Sequence, residues 1–170
     1  MKKILLLALL CIFLNGCSKA PAANTKFMNE FNTFCTNVSD INEAINKLEN
    51  IPTDEAGLTE ATQNLMYYLD MLDDEFKKLS NIDFPEEYDG LEKLADEASE
   101  YMTEAVSYYH QAFEAEPFDT ILADVAKQNY DRANLRIQYI VSILHGDIPE
   151  EIYTYEDEES EETDPAELSE

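Results

Sequence analysis

The chain has few of the residues from which catalytic loops are built. Its 170 residues include 4 Gly, 6 Pro, 2 His and no Trp. It contains no Gly-rich phosphate loop, no His-Glu-x-x-His helix and no Gly-x-Ser-x-Gly turn. Each histidine has a serine three residues before it, but nothing in the sequence marks either pair as a nucleophile and its base. The sequence therefore predicts a protein that is not an enzyme.

Patterns of metal ligands are missing in the same way. Di-iron helical bundles use Glu-x-x-His pairs that point into the core. The residue three before His110 is Ser107, and the residue three before His145 is Ser142. We expect no metal site and no cofactor.

Positive charge is scarce. The chain has 11 Lys+Arg against 37 Asp+Glu, which gives a formal net charge of −26 at pH 7. Such a charge repels nucleic acids and anionic membrane surfaces. Nucleic acid is therefore not an expected partner, and we expect the domain to stand away from a membrane surface.

The N-terminus contains a hydrophobic run that is too short to span a membrane. Two lysines, Lys2 and Lys3, precede apolar residues 4–14, as in the charged and hydrophobic regions of a secretory signal peptide. The next residues, Leu14-Asn15-Gly16-Cys17, resemble the lipobox of bacterial lipoproteins. That resemblance implies cleavage before Cys17 and a lipid on Cys17. It predicts a signal peptide at 1–16, a lipidated tether at 17–25, and a protein of the cell envelope, anchored by lipid to the extracytoplasmic side of a bacterial membrane.

On this interpretation the mature chain has one free cysteine thiol. Cys11 belongs to the signal peptide and Cys17 is the implied lipid carrier, so only Cys35 remains. An intramolecular disulfide is excluded on this interpretation. No His or Lys neighbour is evident that would lower the pKa of the Cys35 thiol, so we expect Cys35 to be a small buried apolar residue.

Four stretches show apolar residues at alternating spacings of four and three, which is typical of helices that pack along one seam. Short connections between helices favour antiparallel neighbours. The sequence therefore predicts an all-α fold, an antiparallel up-down-up-down four-helix bundle over residues 26–146. The predicted seams consist of Phe27, Phe31, Phe34, Val38, Ile41, Ile45 and Leu48; Leu58, Thr62, Leu65, Leu69, Leu72, Phe76 and Leu79; Leu91, Ala95, Ala98, Met102, Ala105, Tyr109 and Ala112; and Ala126, Tyr130, Ala133, Ile137, Ile140 and Leu144.

Turn and capping residues separate these stretches. Asp54 can cap the second helix, Pro85 is expected at the first position of the third, and residues 116–119 separate the third from the fourth. Gly146 is expected just beyond the end of the fourth helix. Residues 147–170 contain no Lys or Arg and many acids, which predicts a disordered acidic tail.

The fourth helix has apolar residues on two faces. Besides its seam, a second stripe lies roughly 100–180° away at 100° per residue. This stripe predicts a partner-binding surface, because Arg and Tyr on an apolar strip are typical of binding hot spots. An intramolecular explanation stays open, in which residues after 147 fold back over the stripe or the bundle buries it. The predicted partner-binding residues are Ile121, Val125, Arg132, Leu135, Tyr139 and Ile143.

The third helix suggests an alternative site. Its seam is rich in Ala, which could leave a cleft beside it, and Tyr101, Tyr108 and Tyr109 lie on or next to that seam. Tyr offers an apolar body with a polar tip, so these residues are candidates for binding a small ligand, although such residues are also ordinary at the boundary of a bundle.

We interpret the chain as a lipid-anchored extracytoplasmic binding or scaffold module without enzymatic activity. Its membrane contact is the lipid on Cys17, and its partner is an envelope protein or a second copy that docks on the outer face of helix four. The alternative is a small-ligand receptor or carrier that binds beside helix three. A third interpretation makes the acidic tail the functional part, presented by the bundle.

Overall fold

The computed structural model describes residues 22–51, 54–88 and 90–147, which form an all-α four-helix bundle. The helices are α1 (Ala22–Lys47), α2 (Glu55–Leu79), α3 (Gly90–Glu114) and α4 (Thr120–Leu144), with short 3-10 turns at Leu48–Asn50 and Glu86–Tyr88. Consecutive helices pack side by side in antiparallel order, and the described residues contain no strand. The predicted fold class is confirmed.

Some predicted segments lie outside the described residues. These are the signal peptide at 1–16, Cys17 with the first part of the tether, and the acidic tail beyond residue 147. α1 begins at Ala22, one helical turn before the predicted start of the bundle at residue 26. Residues 22 and 23 are alanines, which have the highest intrinsic helix propensity, so the helix extends into the segment predicted as tether.

The antiparallel order gives the bundle two distinct ends. We call the end where α1 begins, α2 ends, α3 begins and α4 ends the entry end, and the opposite end the far end. Each helix of about 25 residues is roughly 38 Å long at 1.5 Å per residue, so the two ends are separated by about that distance. Among the described residues, no helix combines the length and the apolar composition needed to cross a membrane.

Side-chain caps determine where α2 and α4 begin. The Asp54 carboxylate accepts a hydrogen bond from the Gly57 N–H at 2.8 Å. The Asp119 carboxylate accepts from the N–H groups of Ile121 and Leu122 at 2.9 and 3.1 Å. Both arrangements satisfy backbone donors that have no partner inside the helix.

The end of α4 and the start of α3 test two further predictions. Gly146 adopts φ +85°, and the N–H groups of Gly146 and Asp147 donate to the carbonyls of Ile143 and Ser142, each at 2.9 Å. The predicted glycine stop is confirmed, since only glycine adopts this conformation without strain. The prediction for Pro85 is wrong, because a 3-10 turn separates it from α3 and its carbonyl accepts from the Tyr88 N–H at 2.7 Å.

Removing the cap of α4 has a predictable cost. We expect Asp119→Ala to lower the free energy of unfolding by about 1 kcal/mol, because two N–H groups lose their acceptor. Urea unfolding followed by circular dichroism measures this. Asp124→Ala, an exposed position one turn into the same helix, is the matched control and should change stability by less than about 0.5 kcal/mol. Equal losses in both variants would contradict the role of the cap.

The core contains large side chains toward the entry end and mainly alanines toward the far end. Core residues and the side chains packed on them all lie between Phe27 and Leu144. At the far end Ala105, Ala112 and Ala126 are fully buried, while the seam residue Leu58 is 56% exposed, so its predicted core position is wrong. The largest fully buried side chains are Phe27, Cys35, Leu72, Phe76, Leu79, Leu91, Tyr101, Met102, Arg136, Ile137 and Ile140.

The alanines of α3 and α4 bring these two helices into the most extensive contact in the bundle. Ala95, Ala98, Ala105, Ala126 and Ala133 are fully buried. Small side chains allow two helix backbones to approach closely, and the packing stays dense. The Ala-rich seam of α3 suggested a cleft beside that helix. In the structure α4 occupies the space where the cleft was expected.

Candidate functional site

The structure divides the predicted partner-binding stripe of α4 along the length of the helix. Ile121, at the far end, is 74% exposed, and Arg132 is exposed near the middle. Val125 and Leu135 are half-buried. Tyr139 and Ile143, toward the entry end, pack against the core. Only the far-end part of the stripe therefore presents a largely exposed apolar side chain.

The apolar surface at the far end extends beyond α4 into the preceding connection. Phe118 is 46% exposed, and its ring centroid lies 4.9 Å from that of the half-buried Phe113, at the end of α3. We call Phe113, Phe118 and Ile121 the far-end patch. The Asp119 cap holds the first turn of α4, so Ile121 projects from an ordered backbone.

Three carboxylates lie next to the far-end patch along the chain, and we call them its rim. Glu114 follows Phe113, Glu116 precedes Phe118 by two residues, and Asp124 follows Ile121 by three, which places it on the same side of α4. All three acids are exposed. Residues 94–126 contain no Lys or Arg, and the first cation after them is Lys127, which pairs with Asp131.

A buried ion pair joins α3 to α4, and sequence reasoning missed it. Arg136 Nε donates to Glu97 Oε2 at 2.7 Å, and the two side chains are only 1% and 5% exposed. The other carboxylate oxygen, Glu97 Oε1, is buried and has no hydrogen-bond partner among the described residues. Such a pair is costly to desolvate and is strongly destabilising when only one partner is removed.

Both arginines of the chain lie over one tyrosine. The guanidinium carbons of Arg132 and Arg136 lie 5.4 and 5.2 Å from the centroid of the Tyr101 ring, within the range of cation–π attraction. Tyr101 itself is fully buried. A signal for this arrangement exists in the sequence, since an acidic chain places its only two arginines one helical turn apart on α4.

The three tyrosines predicted for the alternative ligand site do not form one surface. Tyr101 is enclosed between α3 and α4, whereas Tyr108 and Tyr109 are half-buried. Burial, and secondarily the nearby Tyr130, Asp131 and Asp124, raises the pKa of Tyr109 to about 12.

The raised pKa of Tyr109 predicts a loss of stability at high pH. The unfolded tyrosine ionises near pH 10, while the folded one retains its proton until about pH 12. The stability that this pKa shift contributes is fully present below pH 10 and is lost as the pH rises through 12. Between these pH values the unfolded state binds fewer protons than the folded state, so the free energy of unfolding falls. In an absorbance titration of tyrosinate, Tyr109→Phe should remove one late-titrating group. An unchanged late phase in Tyr109→Phe would contradict this assignment.

Two shallow grooves lie away from these tyrosines. An apolar groove of about 230 Å³ at the entry end lies between the start of α3 and the end of α4. Its lining consists of Glu87, Tyr88, Gly90, Leu91, Lys93, Leu94 and Ile143. A more polar groove of about 430 Å³ runs between α1 and α2 and includes Asn37, Glu75 and Lys78. Of the predicted site residues, only Ile143 lines either groove.

The described residues contain no group of three or more His, Cys, Asp or Glu side chains placed to hold a metal ion. His110 Nε2 instead lies 2.7 Å from Asp70 Oδ1 and links α3 to α2. Cys35 is buried in the core.

Comparison with known proteins gives no match, either to a protein-family model, to a curated protein or to a solved structure. The fold thus defines the class of the described residues, an all-α four-helix bundle.

Proposed function

We propose that this chain is a lipid-anchored, extracytoplasmic binding module without enzymatic activity, which docks a protein partner through the far-end part of α4. The observation that carries the proposal is the exposure of both Phe118 and Ile121, three residues apart at the start of α4, a helix whose other face packs in the core. Exposed apolar side chains that are neighbours and are rimmed by polar groups are typical of protein interaction sites.

The position of the implied anchor agrees with docking at the far end. Cys17 precedes α1 by a few residues, so a lipid on Cys17 would hold the entry end next to the membrane. The far-end patch would then face away from the bilayer by roughly the length of a helix, about 38 Å. The negative charge of the domain also favours a position away from the bilayer, because anionic lipid headgroups repel it.

Native mass spectrometry of the tagged protein, purified from the envelope of its own host, tests the proposal. We expect a complex with another protein, which is lost in the double variant Phe118→Ser, Ile121→Glu. Tyr67→Ser is the matched control, since Tyr67 is 60% exposed on α2 and lies outside the far-end patch. Leu135 and Tyr139 are less suitable for this test, because both are partly buried in the fold.

The other outcomes of this measurement have defined meanings. A complex that survives the double variant would contradict docking through the far-end patch. A monomer that carries an additional few hundred daltons would instead favour the small-ligand alternative, for which the apolar entry-end groove formed by Leu91, Leu94 and Ile143 is one concave surface beside α3.

A further inference from the structure

We infer that the segment docked on the far-end patch is a cationic, amphipathic segment of a partner protein, whose apolar side chains cover Phe118 and Ile121 while its Lys or Arg side chains meet the carboxylates around them. This inference rests on the proposed function and adds the chemistry of the partner.

The apolar centre supplies the anchor point. Ile121 and Phe118 are the most exposed large apolar side chains of this end of α4 and its preceding connection. Side chains at the centre of a small interface contribute most of the binding free energy once a partner excludes water from them. A partner segment therefore needs an apolar face.

The rim determines the sign of the partner's charge. Glu114, Glu116 and Asp124 are exposed around the patch, in a stretch of the chain that contains no Lys or Arg. Juxtaposed like charges oppose association, whereas complementary charges steer the encounter and increase its rate. An acidic segment would therefore be rejected at this surface, and a basic one attracted.

The lysines toward the far end do not offset this rim. Lys47 pairs with Glu43 at 2.8 Å, and Lys127 pairs with Asp131, in each case within one helix. Each lysine therefore has a carboxylate of its own helix as its nearest counter-charge. The negative charge of the acids around the patch is not neutralised by these lysines.

The same charges argue against a second copy of this chain as the occupant. A two-fold interface places the same patch on both subunits, so the acidic rim of one copy would face the acidic rim of the other. The formal net charge of −26 adds a general repulsion between copies. A cationic segment of another protein satisfies both the apolar centre and the rim.

The chain has no Trp, so a peptide that contains one provides a clean fluorescence probe. The probe is a short amphipathic helix with Lys on one face, Leu on the other and a single Trp among the Leu residues. Residues 18–170 serve as the protein, because this segment includes every core residue that the structure describes. We expect the Trp emission to shift to the blue on binding, and a matched peptide with Glu in place of Lys not to bind.

Two sets of variants distinguish the patch from general charge. The triple variant Glu114→Gln, Glu116→Gln, Asp124→Asn should bind the Lys peptide about 10-fold more weakly, since each exposed charge pair changes affinity by a few-fold. The matched control Glu92→Gln, Asp96→Asn, Glu100→Gln removes the same charge from exposed positions nearer the entry end of α3 and should change affinity less than about 2-fold. Ile121→Ser should weaken binding as strongly as the rim variant.

Equal weakening by the two triple variants, or equal binding of the Glu peptide, would overturn the inference. Its failure is distinguishable from failure of the proposed function. If the rim triple variant leaves peptide binding unchanged while Phe118→Ser, Ile121→Glu abolishes the envelope complex, the far-end patch docks a partner of other chemistry. If peptide binding follows the rim but the envelope complex survives the double variant, the proposed function is contradicted instead.

Discussion

Arg136→Met is expected to lower the free energy of unfolding by about 3–5 kcal/mol, because it leaves the Glu97 carboxylate buried without its counter-charge. The change also removes one of the two guanidinium groups that lie over the Tyr101 ring. Methionine is unbranched and apolar and replaces the stem of arginine without its guanidinium, so the loss combines the stranded charge with some unfilled space. Urea unfolding monitored by circular dichroism measures the difference.

Two further variants separate the ion pair from the packing around it. In Glu97→Leu, Arg136→Met both charges are replaced by apolar side chains of similar size. Such replacements are commonly neutral or stabilising by about 1–4 kcal/mol, so the double variant should recover at least the stability of the parent. Arg132→Met, at an exposed position over the same ring, should cost no more than about 1 kcal/mol. A double variant as unstable as Arg136→Met would show that the ion pair itself stabilises the bundle.

Phe76→Ala is expected to lower the free energy of unfolding by about 3–5 kcal/mol. The Phe76 side chain is fully buried on α2, and its ring meets that of Phe34 on α1 nearly edge-on, with centroids 5.4 Å apart. Truncation removes buried apolar surface and the aromatic contact, and it leaves a cavity that the two helices can close only in part. The same unfolding experiment measures the loss.

Phe118→Ala is the control for Phe76→Ala, since it makes the same chemical change in a half-exposed side chain of the far-end patch. We expect it to cost about 1 kcal/mol or less, because its side chain is only partly removed from water on folding. Comparable losses in both variants would mean that the far end belongs to the cooperative core, and the surface could not then be altered without disturbing the fold.

The hydrophobic spacing was sufficient to predict four helices and most of the core, and the short connections were sufficient to predict their antiparallel order. Its period reports which residues of a helix share a face, and in α1 this face is buried from Phe27 to Ile41. The stop at Gly146 and the cap at Asp54 followed from local backbone chemistry, which needs no tertiary information. Leu58 fits the same period and is nevertheless exposed, because the spacing does not say where along a helix its neighbours stop covering it.

The rotation of α4 and the ion pair could not be obtained in the same way. Tyr139 and Ile143 lie on the second stripe, yet they pack against the core, since side chains at the edge of a helix seam can turn toward either side. Glu97 precedes the core residue Ala98 by one position, where a carboxylate normally meets solvent. Only the approach of α4 brings Arg136 within 2.7 Å of it, and that distance is a property of the packed pair of helices.

Site-specific photo-crosslinking in intact cells of the host tests the central claim most directly. A benzophenone amino acid replaces Ile121 in one variant and Tyr67 in the other, so that two exposed positions on different helices are compared. The account predicts one specific protein adduct from position 121, absent from position 67, whose crosslinked peptide is rich in Lys or Arg. No adduct at position 121, or the same adducts at both positions, would contradict docking through the far end of α4.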